Sequence, residues 1–186
     1  MSKRVRDPQA HRAAILLAAR AAFAELGYAK ASIREIAKRA GVTHGLVMRH
    51  FTSKEKLFVA AMPGSSNLNE LMPDTADAVP ERIARAYVDR MENSMGDDPF
   101  IALIRSAATD EQAATELYRA MRQRSIEAYR TILTGPELDE RVDLLGAHLI
   151  GVTFTRYVVK DGPLSEIAPD RLVEHLTRTL RAILFG

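Results

Sequence analysis

The chain has 186 residues, enough for one large or two small domains, and 47% of them are hydrophobic, which suffices to build cores. It holds no cysteine, which excludes disulfides and thiolate metal sites. The formal net charge of +2 hides a polarised chain: residues 1–58 carry twelve Lys and Arg against four Asp and Glu, a balance of +8, whereas residues 59–186 carry fourteen against twenty, a balance of −6.

A basic block of that kind is the electrostatic footprint of phosphate binding, and the acidic remainder would repel nucleic acid. The chain shows no signal-peptide pattern and no unbroken apolar run long enough to span a bilayer, so a soluble cytoplasmic protein without a membrane partner is expected.

Asp7 and Pro8 form a cap and first-turn pair ahead of Ile15, Ala19, Ala22, Phe23 and Leu26, which recur at helical spacing until Gly27 and Tyr28 end the run. Ser32 opens a second helix, with Glu35 three residues on as the other half of a capping box. Ile33, Ile36, Ala37 and Ala40 then make one buried stripe, and Gly41 stands where a left-handed residue ends the helix. Val42 plugs the turn, and Thr43 caps a third helix that runs through Leu46 and Val47 to Phe51. Two short helices about a glycine turn are the layout of a helix-turn-helix, whose second helix would turn Thr43, His44, Gly45 and Arg49 toward the major groove. A connector helix starts at Ser53.

The segment 63–80 is rich in Pro, Gly, Ser and Asn and reads as a break, a short helical piece near 67–72, and a loop. Beyond it helices are expected over 80–95, 99–108, 111–133, 137–160 and 170–184, with prolines 80, 99, 136 and 169 at their starts. No stretch alternates with period two for long enough to suggest a sheet. The fold class is therefore all-α: a helix-turn-helix domain of three helices over 1–58, with the start of the connector, and a helical domain over 59–186.

Catalytic patterns are missing from the sequence. There is no glycine-rich phosphate loop, no H-E-x-x-H zinc spacing and no G-x-S-x-G elbow, so neither an enzyme nor a bound metal or cofactor is expected. Asp97–Asp98 and Asp139–Glu140 lie beside prolines, where helix capping explains them.

Residues 10–58 resemble the DNA-binding domain of the tetracycline-repressor (TetR) family of bacterial regulators. The motifs that carry the resemblance are I-L-x-A-A-x-x-x-F-x-E-x-G-Y at 15–28, S-I-x-x-I-A-x-x-A-G-V at 32–42 and G-x-x-x-x-H-F-x-S-K-E-x-L-F at 45–58. The resemblance implies that Arg34 pairs with a guanine edge, which its planar fork suits. It further implies that Thr43, His44 and Gly45 meet bases or nearby backbone, while His50 and Lys54 contact phosphates. Family members commonly carry a tyrosine where this chain has Met48, so Arg49 is the candidate to supply that phosphate contact. Lys3, Arg4 and Arg6 form a basic arm that either enters a minor groove or is loose, as termini usually are.

In the C-terminal part, Leu145, Leu149 and Val152, and then Leu172, Leu176, Leu180 and Ile183, form apolar stripes on the last two helices. They read either as core or as an association surface, and the resemblance favours the latter, a two-fold homodimer through a four-helix bundle. Two reading helices would then address half-sites of a pseudo-palindromic double-stranded operator about 34 Å apart. Met91, Met95, Phe100, Ile104, Tyr118, Met121 and Phe154 are either core or the lining of a pocket for a largely apolar small molecule, with His148 and Arg156 as polar contacts.

The expectation is a dimeric repressor released from its operator by a small-molecule ligand. The alternatives are a ligand-independent or activating regulator, and a small-molecule-binding protein whose DNA domain has degenerated.

Overall fold

The structure, a computed structural model, describes residues 8–62, 75–94, 98–107 and 111–186. Every regular element among them is helical: α1 (Pro8–Lys30), α2 (Ile33–Arg39), α3 (His44–Phe51), α4 (Lys54–Ala61), α5 (Val79–Asn93), α6 (Pro99–Ser106), α7 (Glu111–Tyr129), α8 (Leu138–Thr153), α9 (Pro163–Glu166) and α10 (Pro169–Phe185). The basic arm 3–6, Asp7, the piece expected near 67–72 and Met95 lie outside the described residues.

The caps of the first four helices follow from local chemistry. Gly27, with φ 73 and ψ 166, takes a conformation essentially reserved for glycine and kinks α1 before its last turn. Ser32 accepts the backbone N–H of Glu35 at 3.1 Å. The capping box is half formed, because the Glu35 carboxylate turns to Arg39 Nε at 2.9 Å, which holds its pKa below the usual carboxylate range. After α2 the Gly41 N–H donates to Lys38 O and the Val42 N–H to Ala37 O, a Schellman turn that requires the positive φ of Gly41. Thr43 and Ser53 cap α3 and α4 through their hydroxyls.

Phe23, Tyr28 and Phe58 form an aromatic cluster, with the Phe58 ring edge-on to both others, and lock α1 to α4. Arg20 adds a hydrogen bond from Nε to Ala61 O at 2.6 Å. The two ends of the molecule are joined by α1 packing on α6 and α4 packing on α7. The domain boundary expected at 58/59 falls inside α4.

The C-terminal helices differ from expectation at the end of α8. The helix expected over 137–160 is α-helical only to Thr153 and continues as a wider π turn over Phe154–Val159. Thr153 and Thr155 donate their hydroxyls back to Leu149 O and Gly151 O, competition with the backbone ladder that loosens a helix. The stretch Leu138–Val159 is long and apolar enough, by length and composition, to cross a membrane, although Asp139, Glu140, Arg141, Asp143, His148 and Arg156 interrupt it. In the structure it packs against α7 and α10, with Arg156 buried at its far end.

Candidate functional site

Arg34 on α2, Thr43 at the cap of α3, and His44, Gly45 and Arg49 along α3 are each exposed. Neither Arg34 nor Arg49 forms an ion pair with any described residue, so both guanidinium groups are available to an outside acceptor. Arg39, by contrast, is spent on the fold: its NH1 reaches Glu25 at 2.7 Å and its Nε reaches Glu35, which ties α1 to α2. Thr43 spends one oxygen lone pair on capping and keeps its hydroxyl proton free to donate. Gly45 presents open space, and no atom lies within 4 Å of where a Cβ would stand.

Met48 and His50 are half-buried. Lys54 is also half-buried; its Nζ lies 4.2 Å from the Tyr28 ring centroid and 3.3 Å from Ala29 O. The Tyr28 hydroxyl in turn donates to Glu55 at 2.6 Å. Sequence reasoning missed Arg12, whose guanidinium stacks 5.5 Å over the ring of Phe51, the last residue of α3. Its spacing to Phe51 carries no local signal.

The second feature is a half-open cavity of about 220 Å³ lined by α4, α5, α6, α7 and α8. Val59 and Met62 close it on the α4 side, Met91 and Phe100 on the α5 and α6 side, and Met121 and Leu149 on the α7 and α8 side. Three arginines reach its wall. Arg90 holds the fully buried Asp98 through Nε and NH2 at 2.7 and 2.8 Å, and Asp98 also caps α6 by accepting the Phe100 N–H. Arg122 pairs with Asp143 at 2.6 Å, a carboxylate that also accepts the Tyr118 hydroxyl at 3.3 Å. The third is Arg124, whose buried Nε has no hydrogen-bond partner among the described residues. Burial pushes the Tyr87 phenol up to about 12, and its hydroxyl shares a 2.9 Å hydrogen bond with Thr153.

Residues 15–61 match the family of "Bacterial regulatory proteins, tetR family", and residues 77–184 match the "Tetracyclin repressor-like, C-terminal domain". The chain belongs to the TetR family. A TetR-family regulator from Streptomyces coelicolor is similar over 100% of both chains, with 28% identity and a TM-score of 0.71. NalD of Pseudomonas aeruginosa, the secondary repressor of the MexAB-OprM multidrug efflux pump, shares the fold at a TM-score of 0.55 and 24% identity, over 96% of this chain and 98% of its own. The HTH-type transcriptional repressor Rv3405c of Mycobacterium tuberculosis is 56% identical over 50 residues, 27% of this chain and 27% of its own length. The curated relatives are thus matched over about a quarter of their length.

In this TetR-family transcriptional regulator the residues expected around a ligand divide. Met91, Phe100, Tyr118 and Met121 line the cavity. Ile104 packs against the core away from the cavity wall, His148 is half-buried outside it, and Phe154 is 49% exposed. Arg156 lies outside the cavity lining too: it is buried, donates to Glu92 at 2.9 Å and to the carbonyls of Leu164 and Ser165, and so closes the π turn onto α5 and α9.

The stripes expected to be either core or association surface divide. Leu145, Val152, Leu172, Leu176 and Leu180 are buried within the single chain, where α10 packs along α5 and α8. Leu149 and Ile183 are half-buried. The apolar side chains left open on α8, the π turn and α10 are Leu144, Phe154, Val159 and Phe185.

Proposed function

We propose that this regulator is a homodimeric repressor acting in the bacterial cytoplasm, which holds a pseudo-palindromic operator and releases it when a small, largely apolar molecule enters the cavity. The observation that carries the reading is the place of Val59 and Met62 in the cavity wall. Both belong to the connector α4 or its cap, and Ser53 alone separates α4 from the residue that caps the reading helix α3. A ligand that repositions α4 therefore changes where α3 stands, and α1 packing on α6 supplies a second route from the same cavity.

Energetically the ligand need only bind better to the arrangement whose reading helices no longer match successive grooves, and operator affinity falls by that difference. Within each reading head Arg34, Thr43, His44 and Gly45 face the bases and nearby backbone, and Arg49, His50 and Lys54 face phosphates. The open apolar side chains Leu144, Phe154, Val159 and Phe185, with the exposed small residues Ala147 and Gly151 beside them, favour a second copy as the partner on that face.

The test is selection of binding sites from a random duplex pool, followed by titration at two salt concentrations. The reading expects an enriched pseudo-palindrome and a steep loss of affinity with salt. Weak, equal binding to all duplexes would overturn it in favour of a ligand-binding protein with a degenerate DNA domain.

A further inference from the structure

Of the three arginines in the cavity wall, two are neutralised by the protein itself. Arg90 is held by Asp98 and Arg122 by Asp143. Arg124 is different: its Nε is buried without a partner among the described residues, and it forms no ion pair there. Glu127, one turn along α7, is exposed and accepts the Gln123 amide at 2.9 Å instead. The Arg141 Nε is also unpartnered, but the rest of that guanidinium is anchored by the carbonyls of Leu184, Thr134 and Pro136. Arg124 has no such anchor.

A buried donor left unsatisfied is costly, and in native proteins it commonly marks a site that something else completes. Burial and the nearby Arg12 both work against the charge on Arg124, yet an arginine does not give up its proton. The Asp143 carboxylate and the Tyr118 and Tyr87 hydroxyls in the wall are already engaged within the protein, and Met62, Met91, Phe100, Met121, Leu149 and Ile150 make much of the rest apolar. At about 220 Å³ it lies below the roughly 300 Å³ at which pockets for drug-sized ligands begin, so its occupant is small.

We propose that Arg124 is the anchoring cation of the cavity and that the ligand is a carboxylic acid with one short apolar body, its carboxylate on the Arg124 guanidinium and its body among the methionines and Phe100. The proposal rests on the cavity reading given under Proposed function and names the ligand class for it. A planar guanidinium accepts a carboxylate through paired hydrogen bonds, which are stronger than neutral ones, so an acid gains where an alcohol of the same length does not. An amine would meet an uncompensated cation.

The experiment is calorimetric titration of the full chain with octanoate, octanol and octylamine, on the parent and on Arg124→Gln and Arg124→Lys, with circular dichroism to confirm folding. Octanoate is expected to bind the parent about tenfold more tightly than octanol or better. Arg124→Gln should abolish that gap without weakening octanol, and Arg124→Lys should keep part of it. Equal binding of octanoate and octanol by the parent, or a gap that survives in a folded Arg124→Gln, overturns the acid subsite and leaves the cavity reading standing. Failure of the parent to bind any of the three overturns the cavity reading and this proposal with it. Should the Gln variant fail to fold, the parent comparison and the Lys variant decide the matter.

Discussion

Arg34 and Gly45 serve the same approach to a duplex by opposite means, one by reaching and the other by having nothing to reach with. Because Arg34 has no partner among the described residues, its removal costs the fold little, and Arg34→Ala is expected to lose about 1 to 3 kcal/mol of operator binding while relaxing base preference at one position per half-site. Binding-site selection on the variant reads this out; an equal loss on every sequence would contradict a base contact. Gly45 offers a cleaner separation of stability from recognition. A Cβ there meets nothing within 4 Å, and alanine is a better helix former than glycine by about 1 kcal/mol. Gly45→Ala should therefore leave thermal stability unchanged or slightly raised and still weaken operator binding. A variant that binds the operator as well as the parent would show that α3 does not come that close. Lys54 is bound up with the fold through Tyr28 and Ala29, so Lys54→Ala is expected to make the salt dependence of binding shallower and to lower stability by roughly 0.5 to 1 kcal/mol, the range of an exposed cation–π pair.

Elements meet at Asp98. One carboxylate caps α6 and binds Arg90 of α5 with both oxygens, and it is 1% exposed. Asp98→Ala removes the cap and strands a guanidinium in the cavity wall. The loss is expected to be about 3 kcal/mol by urea denaturation, the low end for a broken buried pair because the Arg90 side chain is 22% exposed. Asp98→Asn keeps a cap acceptor and should lose less; equal losses would mean that the ion pair, and not the cap, matters. Elements of this kind differ in how far the sequence declares them. Ser32, Gly41, Thr43 and Ser53 act within three residues of themselves, so the ends of α2, α3 and α4 could be read from the chain alone. The stripe of α10 was equally plain, but an amphipathic pattern states that a face is buried and not what buries it, and α5 rather than a second chain takes Leu172, Leu176 and Leu180. The cavity was the least legible feature. Methionines and aromatics pointed to Met91, Phe100, Tyr118 and Met121, whereas Val59, Arg90, Arg122 and Arg124 converge on the same space only once five helices are packed.

For the molecule as a whole, the distinction between the two sides of the C-terminal helices decides how assembly and stability respond to substitution. Leu176 and Leu180 lie inside one chain, so Leu176→Ala is expected to destabilise the folded protomer by about 2 to 5 kcal/mol, as large-to-small changes in cores do. Leu144 and Phe154 are 52% and 49% exposed in the single chain, and a charge at either has water to solvate it there. Leu144→Glu with Phe154→Glu should therefore leave helix content intact and shift the sedimentation of the protein from dimer to monomer. Operator binding should fall with it, since one reading head alone retains half of the contacts to a palindrome. A double variant that sediments as a dimer and holds the operator as before would move the association surface to another face. Unfolding of the protomer would instead show that the α8 side of the molecule depends on its partner for stability, as it does in obligate dimers.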